Sequence, residues 1–156
     1  YIKLCLFRGE ILPMKIPAQV HYAIIIMIDI AMQGKGTTVT GNDIARRQNI
    51  SFAFVAQLLN KLKHTGLLES VRGGGGGFHF RDQLSVITVK KIIEAIDPEF
   101  CICPGYGIKT DQPVDNAVRS FWQQVGENAA KKFEATTVAD LVMELKESNG
   151  KEASCI

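Results

Sequence analysis

The sequence predicts a mainly α-helical fold with a small β-wing. Two observations lie between Gly41 and Phe80: two short amphipathic segments joined by a tight turn at Asn49–Ile50, then two strand-like segments flanking the glycines Gly73 to Gly77. The first pattern is typical of a helix-turn-helix, and the second of a hairpin. A long amphipathic segment beginning near Val114 is the third observation. The expected architecture is therefore a winged helix-turn-helix domain plus a long dimerisation helix.

Local capping signals place the two helices of the motif. The first is expected over Asn42 to Gln48, because the Thr40 hydroxyl can cap it and Asp43 completes a capping box. After the turn, Ser51 caps the second helix. Apolar residues at i, i+3, i+4 and i+7 of that helix predict one buried stripe, made of Val55, Leu58, Leu59 and Leu62. The predicted outer face carries Ala53, Ala56, Gln57, Asn60, Lys61 and His64.

This outer face and the hairpin are the candidate nucleic-acid interface. The helix N-terminus can approach a phosphate, Gln57 can pair with adenine, and Lys61 can reach a phosphate. Arg72 suits a phosphate or a narrow minor groove, and glycines let the hairpin backbone come close to a duplex. The candidate DNA-binding residues are Ser51, Phe52, Ala53, Phe54, Gln57, Lys61, Arg72, Gly74, Gly75 and His79.

The run of glycines does not predict a nucleotide site. A P-loop requires Gly-Lys-Ser/Thr before a helix. Here Phe78-His79-Phe80 follows and alternates like a strand. We also find no nucleophile–base arrangement and no metalloenzyme motif, so an enzyme is not expected.

Charge is distributed unevenly along the 156 residues. Residues 35–91 contain nine Lys or Arg against three Asp or Glu, whereas residues 92–156 contain six against eleven. A basic head followed by an acidic body suits a DNA-binding domain joined to a sensing or dimerising part.

Composition bounds the location of the protein. An apolar content of 46% predicts a folded chain. The apolar run Ala23–Ala31 contains Asp29 and is far shorter than the roughly 20 residues that span a bilayer, so no membrane association is expected. The four cysteines lack the spacing of a disulfide framework, and no secretory signal stands out. We therefore expect a cytoplasmic protein with reduced thiols.

The remaining segments complete the predicted organisation. A first helix is expected over Pro17 to Gln33, a short helix from about Thr88, and a last helix opened by the capping pattern Thr137–Asp140. The prolines and glycines of Glu99–Pro113 predict a loop. We expect residues 1–13 to be an extension of no assigned role, with Met14 a candidate start. A winged helix-turn-helix domain should follow over residues 14–97, and a sensor loop over residues 98–113. Residues 114–147 should form the dimerisation helix and the last helix, and residues 148–156 a loose tail.

The long helix, predicted over Val114–Phe133, carries an apolar stripe that needs a partner. One interpretation is a second copy of the chain, and the other is that the helix folds back on its own head. We favour dimerisation. The candidate interface residues are Val118, Phe121, Trp122, Val125 and Ala129.

The motif residues resemble a known family, the iron–sulfur and redox-sensing winged-helix repressors typified by IscR, NsrR and CymR. The resemblance runs from Met14 to about Leu145 and is carried by Ile50-Ser51, Gln57-Leu58, Gly66-Leu67 and Val71–Phe78. It implies a dimeric repressor of a pseudo-palindromic operator in double-stranded DNA, controlled by a redox, metal or cluster, or small-molecule signal. The alternative is a winged-helix module that docks a protein partner and no longer binds DNA, against which the basic head argues.

The sequence departs from the family pattern at two places. Many members carry Glu before the Gln, where this chain has Ala56, so the operator is expected to differ. Cluster-binding members use three cysteines before the long helix and a fourth ligand, which is His or an acidic residue. Here the loop has only Cys101 and Cys103, with His21 near a helix-one position that supplies a ligand in some relatives.

The candidate sensor residues Cys101, Cys103 and His21 therefore make three ligands, one short of the four that a cluster needs. Glu99, Asp111 or Cys155 could be recruited, although nothing in the spacing demands it. Three interpretations stay open: a thiol switch, an unusual metal or iron–sulfur site, and incidental cysteines in a body that binds a small molecule or a partner protein.

Overall fold

The computed structural model describes residues 6–7, 10–11, 16–34, 36–73, 75–102 and 112–153. A short hairpin precedes the helical part. Its strands, β1 (Leu6–Phe7) and β2 (Glu10–Ile11), have two residues each. The remaining elements are α1 (Ala18–Met32), α2 (Gly41–Gln48), α3 (Phe52–His64), β3 (Leu68–Val71), β4 (Gly77–Phe80), a 3-10 turn (Leu84–Val86), α4 (Val89–Ile96), α5 (Pro113–Ala135) and α6 (Val138–Ala153). The predicted fold class, mainly helical with a small β-wing, is confirmed.

Helix α1 is the centre of the core. It packs against α3, α4 and α6 because apolar residues occupy more than one of its faces. A helix with apolar residues on several faces is typically buried among several neighbours. Its buried residues are Val20, Ala23, Ile26, Met27, Asp29 and Ile30.

The helix-turn-helix forms as its caps predict. The Thr40 hydroxyl accepts a hydrogen bond from the Asp43 amide at 3.1 Å, and the Ser51 hydroxyl accepts one from the Phe54 amide at 3.3 Å. Asn49 ends α2 in the left-handed conformation, with a φ of 53°. At Gly41 a Cβ atom would lie 3.1 Å from the Phe52 ring, so the missing side chain lets α2 and α3 approach closely.

A third segment, at Val39, pairs with the two strands of the wing, which the sequence periodicity did not indicate. Strands β3 and β4 pair antiparallel, with Leu68 opposite Phe80. Val39 then pairs with Phe78 through two backbone hydrogen bonds of 2.9 and 2.8 Å. A Cβ atom on Gly77 would lie 2.7 Å from the Val39 carbonyl oxygen, which explains why glycine stands there.

Helix α6 returns to the head and completes its core. The Val138 amide donates to the Ile87 carbonyl at 2.9 Å, and Val138 and Val142 are buried with the residues of the head. The predicted division near residues 98–113 is therefore not a division of the hydrophobic core. The helix also continues to Ala153, whereas a loose tail was expected from Ser148. Lysine and glutamate are good helix formers, and the segment contains no proline to stop the helix.

In the ranges that the structure describes, none of the helices combines the length and apolar character needed to cross a bilayer.

Candidate nucleic-acid interface

The outer face of α3 presents two amides to solvent. Ala53, Gln57 and Asn60 are all exposed and follow one another at i, i+4 and i+7, which places them on one side of the helix. Glutamine and asparagine amides can each make a bidentate pair with adenine in the major groove. Asn60 was predicted on this face but was not among the candidate DNA-binding residues, although its spacing from Gln57 was the available signal.

Two of the candidate residues at the start of α3 have structural roles within the protein. Ser51 is exposed, and its hydroxyl serves as the N-cap. Phe54 is half-buried, with its ring edge-on to Tyr22 of α1 at a centroid distance of 5.6 Å. Phe52 is exposed beside Gly41. Of the two phenylalanines, Phe52 is therefore the one available to a duplex.

Lys61 does not take the predicted position on the outer face. Its ammonium donates hydrogen bonds to Gln19 Oε1 of α1 at 2.9 Å and to the Ile96 carbonyl oxygen of α4 at 3.0 Å. The lysine stem can lie along apolar surface while its charged end reaches a polar partner. The ammonium is therefore directed into the protein, and the phosphate contact of Lys61 stays a prediction.

The wing carries a cation, Arg72, between the end of β3 and the glycine loop. Arg72 is exposed, directly before Gly73, whose φ of 121° favours glycine. Gly75 is exposed and its carbonyl accepts a hydrogen bond from the Thr38 hydroxyl at 2.8 Å, while Gly74 lies outside the described residues. Arg72 and Gly75 are thus accessible to a duplex.

His79 lies against the neighbouring strand. Its Nδ1 is 3.2 Å from the carbonyl oxygen of Glu69, and its Nε2 is 4.0 Å from the carboxylate of the same residue. That carboxylate also lies 3.7 Å from Arg81. Glu69 therefore reduces the positive potential of the wing around His79.

A buried polar cluster that the sequence analysis missed joins α1 to α2. Asp29 is 6% exposed, and its carboxylate accepts hydrogen bonds from Arg47 and from Gln48 Nε2. The hydrogen bond from Arg47 to Asp29 raises the pKa of the guanidinium above its ordinary value. The available signal in the sequence was Asp29, an acidic residue within an apolar helix. The spacing of apolar residues could not show which side chains would pair with it.

The described sensor residues do not assemble a cluster site. Cys101 is exposed in the segment after α4, while Cys103 lies outside the described residues. His21 is exposed on α1 and packs against Tyr22 with ring centroids 5.4 Å apart. Within the described ranges, no three His, Cys, Asp or Glu side chains come together as a metal site.

Cys101 instead borders a cleft between α4 and α5. The cleft has a volume of about 400 Å³ and is lined largely by apolar side chains. Trp122 and Phe133 line it from α5, and Ile93 lines it from α4. A chemical change at Cys101 would therefore occur at the packing surface between these two helices.

Helix α5 exposes a second apolar face on the side that does not line this cleft. Val114, Val118 and Phe121 are exposed by 76, 50 and 57%, and Val125 is half-buried. These positions continue one stripe with spacings of four and three residues. Trp122 lines the cleft and meets the ring of Phe121 edge-on at 5.2 Å. Three of the five predicted interface residues therefore lie on the stripe, and Trp122 packs towards α4, while Ala129 is half-buried and does not line the cleft.

Comparisons with known proteins agree with this geometry. The family model described as Rrf2, iron-dependent transcriptional regulator, matches residues 16–144. The transcriptional regulator IscR of Yersinia enterocolitica is 31% identical over 130 residues, which are 83% of this chain and 79% of that protein. CymR, the global cysteine regulator of B. subtilis, superposes with a TM-score of 0.74 at 27% identity, covering 83% of this chain and 97% of that one.

The structure of T. potens IscR has a TM-score of 0.70 at 28% identity and covers 86% of this chain and 90% of that one. These matches confirm the predicted resemblance and disfavour the alternative of a module that docks only proteins. The chain belongs to the Rrf2 family of iron-dependent transcriptional regulators, and it is a DNA-binding transcriptional regulator.

Proposed function

We propose that the protein is a homodimeric repressor that binds a pseudo-palindromic operator. The observation that carries the proposal is the outer face of α3, where Gln57 and Asn60 are exposed, together with the exposed cation Arg72 of the wing. Side-chain amides of this kind can recognise base edges, and cations that contact phosphates fix the register of a protein on the duplex. The net positive charge of residues 35–91 supports the same partner.

The exposed stripe of α5 supports the dimer. Its valines and Phe121 form a continuous apolar surface on the longest helix of the described chain. Burial of apolar area against an identical stripe would stabilise a two-fold pair. Such a pair carries two α3 helices, which suits half-sites about one helical turn, roughly 34–36 Å, apart.

The operator should differ from those of relatives with Glu before the glutamine. Ala56 carries only a methyl group, so it cannot accept a hydrogen bond from a cytosine amino group. An alanine methyl can contact the methyl group of thymine instead. We therefore expect discrimination at that base pair to shift from cytosine towards thymine.

The proposed signal acts through Cys101 and Cys103. Hydrogen peroxide would convert one thiol to a sulfenic acid and release water, and the second thiol would displace a further water to form a disulfide. Cys101 lies at the cleft between α4 and α5, so its modification would alter how the head is held on the long helix. A small rotation there would change the spacing of the two α3 helices.

The test is a mobility-shift assay with duplex DNA from upstream of the gene encoding the protein. Gln57→Ala/Asn60→Ala should abolish selective binding and retain weak, salt-sensitive binding to any duplex. Gln124→Ala, which removes an exposed amide from a position of α5 outside the cleft, is the matched control and should bind as wild type does. Selective binding that survives the double substitution would contradict the proposed interface.

A further inference from the structure

We propose that Lys61 is a positioning residue, which ties the recognition helix α3 to the carboxyl end of α4. The inference rests on the proposed function in one respect, because operator affinity is the quantity by which it is tested. It assigns to Lys61 a role within the protein instead of a contact with DNA.

The contacts of the ammonium carry the inference. Ile96 is the last residue of α4, and the final carbonyl groups of a helix lack intrahelical partners. Lys61 donates to the Ile96 carbonyl at 3.0 Å, where a cation is also favoured by the helix dipole. Gln19 holds the same ammonium from α1 at 2.9 Å. One side chain of the recognition helix therefore bridges to two further helices.

The position of Lys61 makes this bridge relevant to base recognition. It directly follows Asn60 and lies one turn after Gln57, on the same rigid helix. Hydrogen bonds to base edges tolerate only a few tenths of an ångström in donor–acceptor distance. A fixed α3 therefore presents these amides at one depth, and a released α3 does not.

The other end of the bridge leads to the segment after α4 that contains Cys101, which we call the thiol segment. The Asp97 amide donates to the Ile93 carbonyl at 2.8 Å, and the Phe100 amide donates to the Asp97 carbonyl at 3.1 Å. These two bonds form a short turn that passes directly into Cys101. A rearrangement of this turn would displace the Ile96 carbonyl and weaken its bond to Lys61. Lys61 thus connects the start of the thiol segment to the DNA-binding face.

The salt dependence of operator binding separates positioning from phosphate contact. Each phosphate contact contributes about 0.9 to the slope of log affinity against log salt concentration. Lys61→Met retains the aliphatic stem and removes the ammonium. We expect it to weaken operator binding several-fold with the wild-type slope, while Lys61→Arg, which keeps a cationic donor, recovers much of the affinity. Arg72→Ala is the comparator, for which the slope should fall by about 0.9.

A slope that falls by about 0.9 for Lys61→Met would overturn the inference, because it would identify a phosphate contact. Unchanged affinity would overturn it as well. Failure of wild-type protein to select any duplex would instead contradict the proposed function.

The second anchor gives an independent test. Gln19→Leu lies on α1 and removes only the acceptor that holds the ammonium, so it should weaken operator binding in the same direction as Lys61→Met, but less. Because both substitutions disrupt one network, the double variant should lose less than the sum of the two effects on the free energy of binding. Fully additive losses would show that Gln19 and Lys61 act separately, and would overturn the shared bridge.

Discussion

The guanidinium of Arg47, at the end of α2, donates to the buried carboxylate of Asp29 in α1, with Nε 3.0 Å from Oδ1. Its second nitrogen donates to Oδ2, so the pair is bidentate. Gln48 adds a third hydrogen bond at 2.8 Å. The first helix of the DNA-binding motif is therefore fixed on the central helix by a polar contact at the edge of the apolar core.

Replacing Asp29 by alanine should destabilise the fold. Arg47 and Gln48 would lose their acceptor, and leaving a buried or half-buried donor unpaired costs about 1–3 kcal/mol. The lower part of that range applies because about a third of the Arg47 side chain is exposed to solvent. Urea denaturation monitored by circular dichroism measures the loss. Glu134→Ala, which removes an exposed pair with Lys90, should change the free energy of unfolding by less than about 1 kcal/mol. Equal losses in the two variants would contradict this account.

Introducing a charge into the exposed stripe of α5 should abolish the proposed dimer. Phe121→Asp would place a carboxylate in an apolar interface, where desolvation without a counter-ion is costly. Sedimentation equilibrium should show a monomer or a much weakened dimer. Ser120→Asp adds the same charge one residue earlier on a different side of the helix and should leave the dimer intact. A Phe121→Asp protein that remains a dimer at low micromolar concentration would show that this stripe is not the interface.

The cap of α6 should make stability depend on pH. Hydrogen bonds from the Thr137 hydroxyl and amide lower the pKa of Asp140, because they favour the ionised carboxylate. A lowered folded-state pKa gives stability that is present above the unfolded value, about 4, and lost as the pH falls through the folded value. Thermal melting should therefore show wild type above Asp140→Asn near pH 6, with the difference shrinking towards pH 3. Glu144→Gln, on the same helix, is the control. A difference that grows on acidification would have the wrong sign.

Oxidation of the loop thiols should reduce operator affinity. We expect a hydrogen peroxide or diamide pulse to weaken binding several-fold in wild type, with recovery in dithiothreitol. Cys101→Ser/Cys103→Ser should bind regardless of oxidant, whereas Cys5→Ser/Cys155→Ser should respond as wild type does. Fluorescence anisotropy with a labelled duplex measures each state. An oxidant response that persists in the loop double variant would move the signal to a small molecule or a partner protein.

Local patterns were sufficient to predict much of the head. The stripe of α3, the caps at Thr40, Ser51 and Thr137, and the paired strands of the wing depend on residues a few positions apart. Hydrophobic spacing and capping chemistry act over the same short range, which explains why they were visible in the sequence.

Contacts between distant residues were not predictable in the same way. Asp29 and Arg47 are 18 positions apart, and Lys61 and Ile96 are 35 apart. Helical spacing placed Lys61 on the outer face of α3, but it does not say whether a flexible side chain turns outward or inward. The burial of Val142 in the head core likewise depends on how α6 returns after α5.

The most direct test of the central claim is selection of binding sites from a random pool of duplex DNA, followed by sequencing. A dimer that presents two α3 helices should enrich a pseudo-palindrome with half-sites about 10–10.5 base pairs apart, centre to centre. Gln57→Ala should relax the preference at one position in each half-site. Enrichment of a single half-site, of unrelated sequences, or of no sequence at all would contradict a dimeric, sequence-specific regulator.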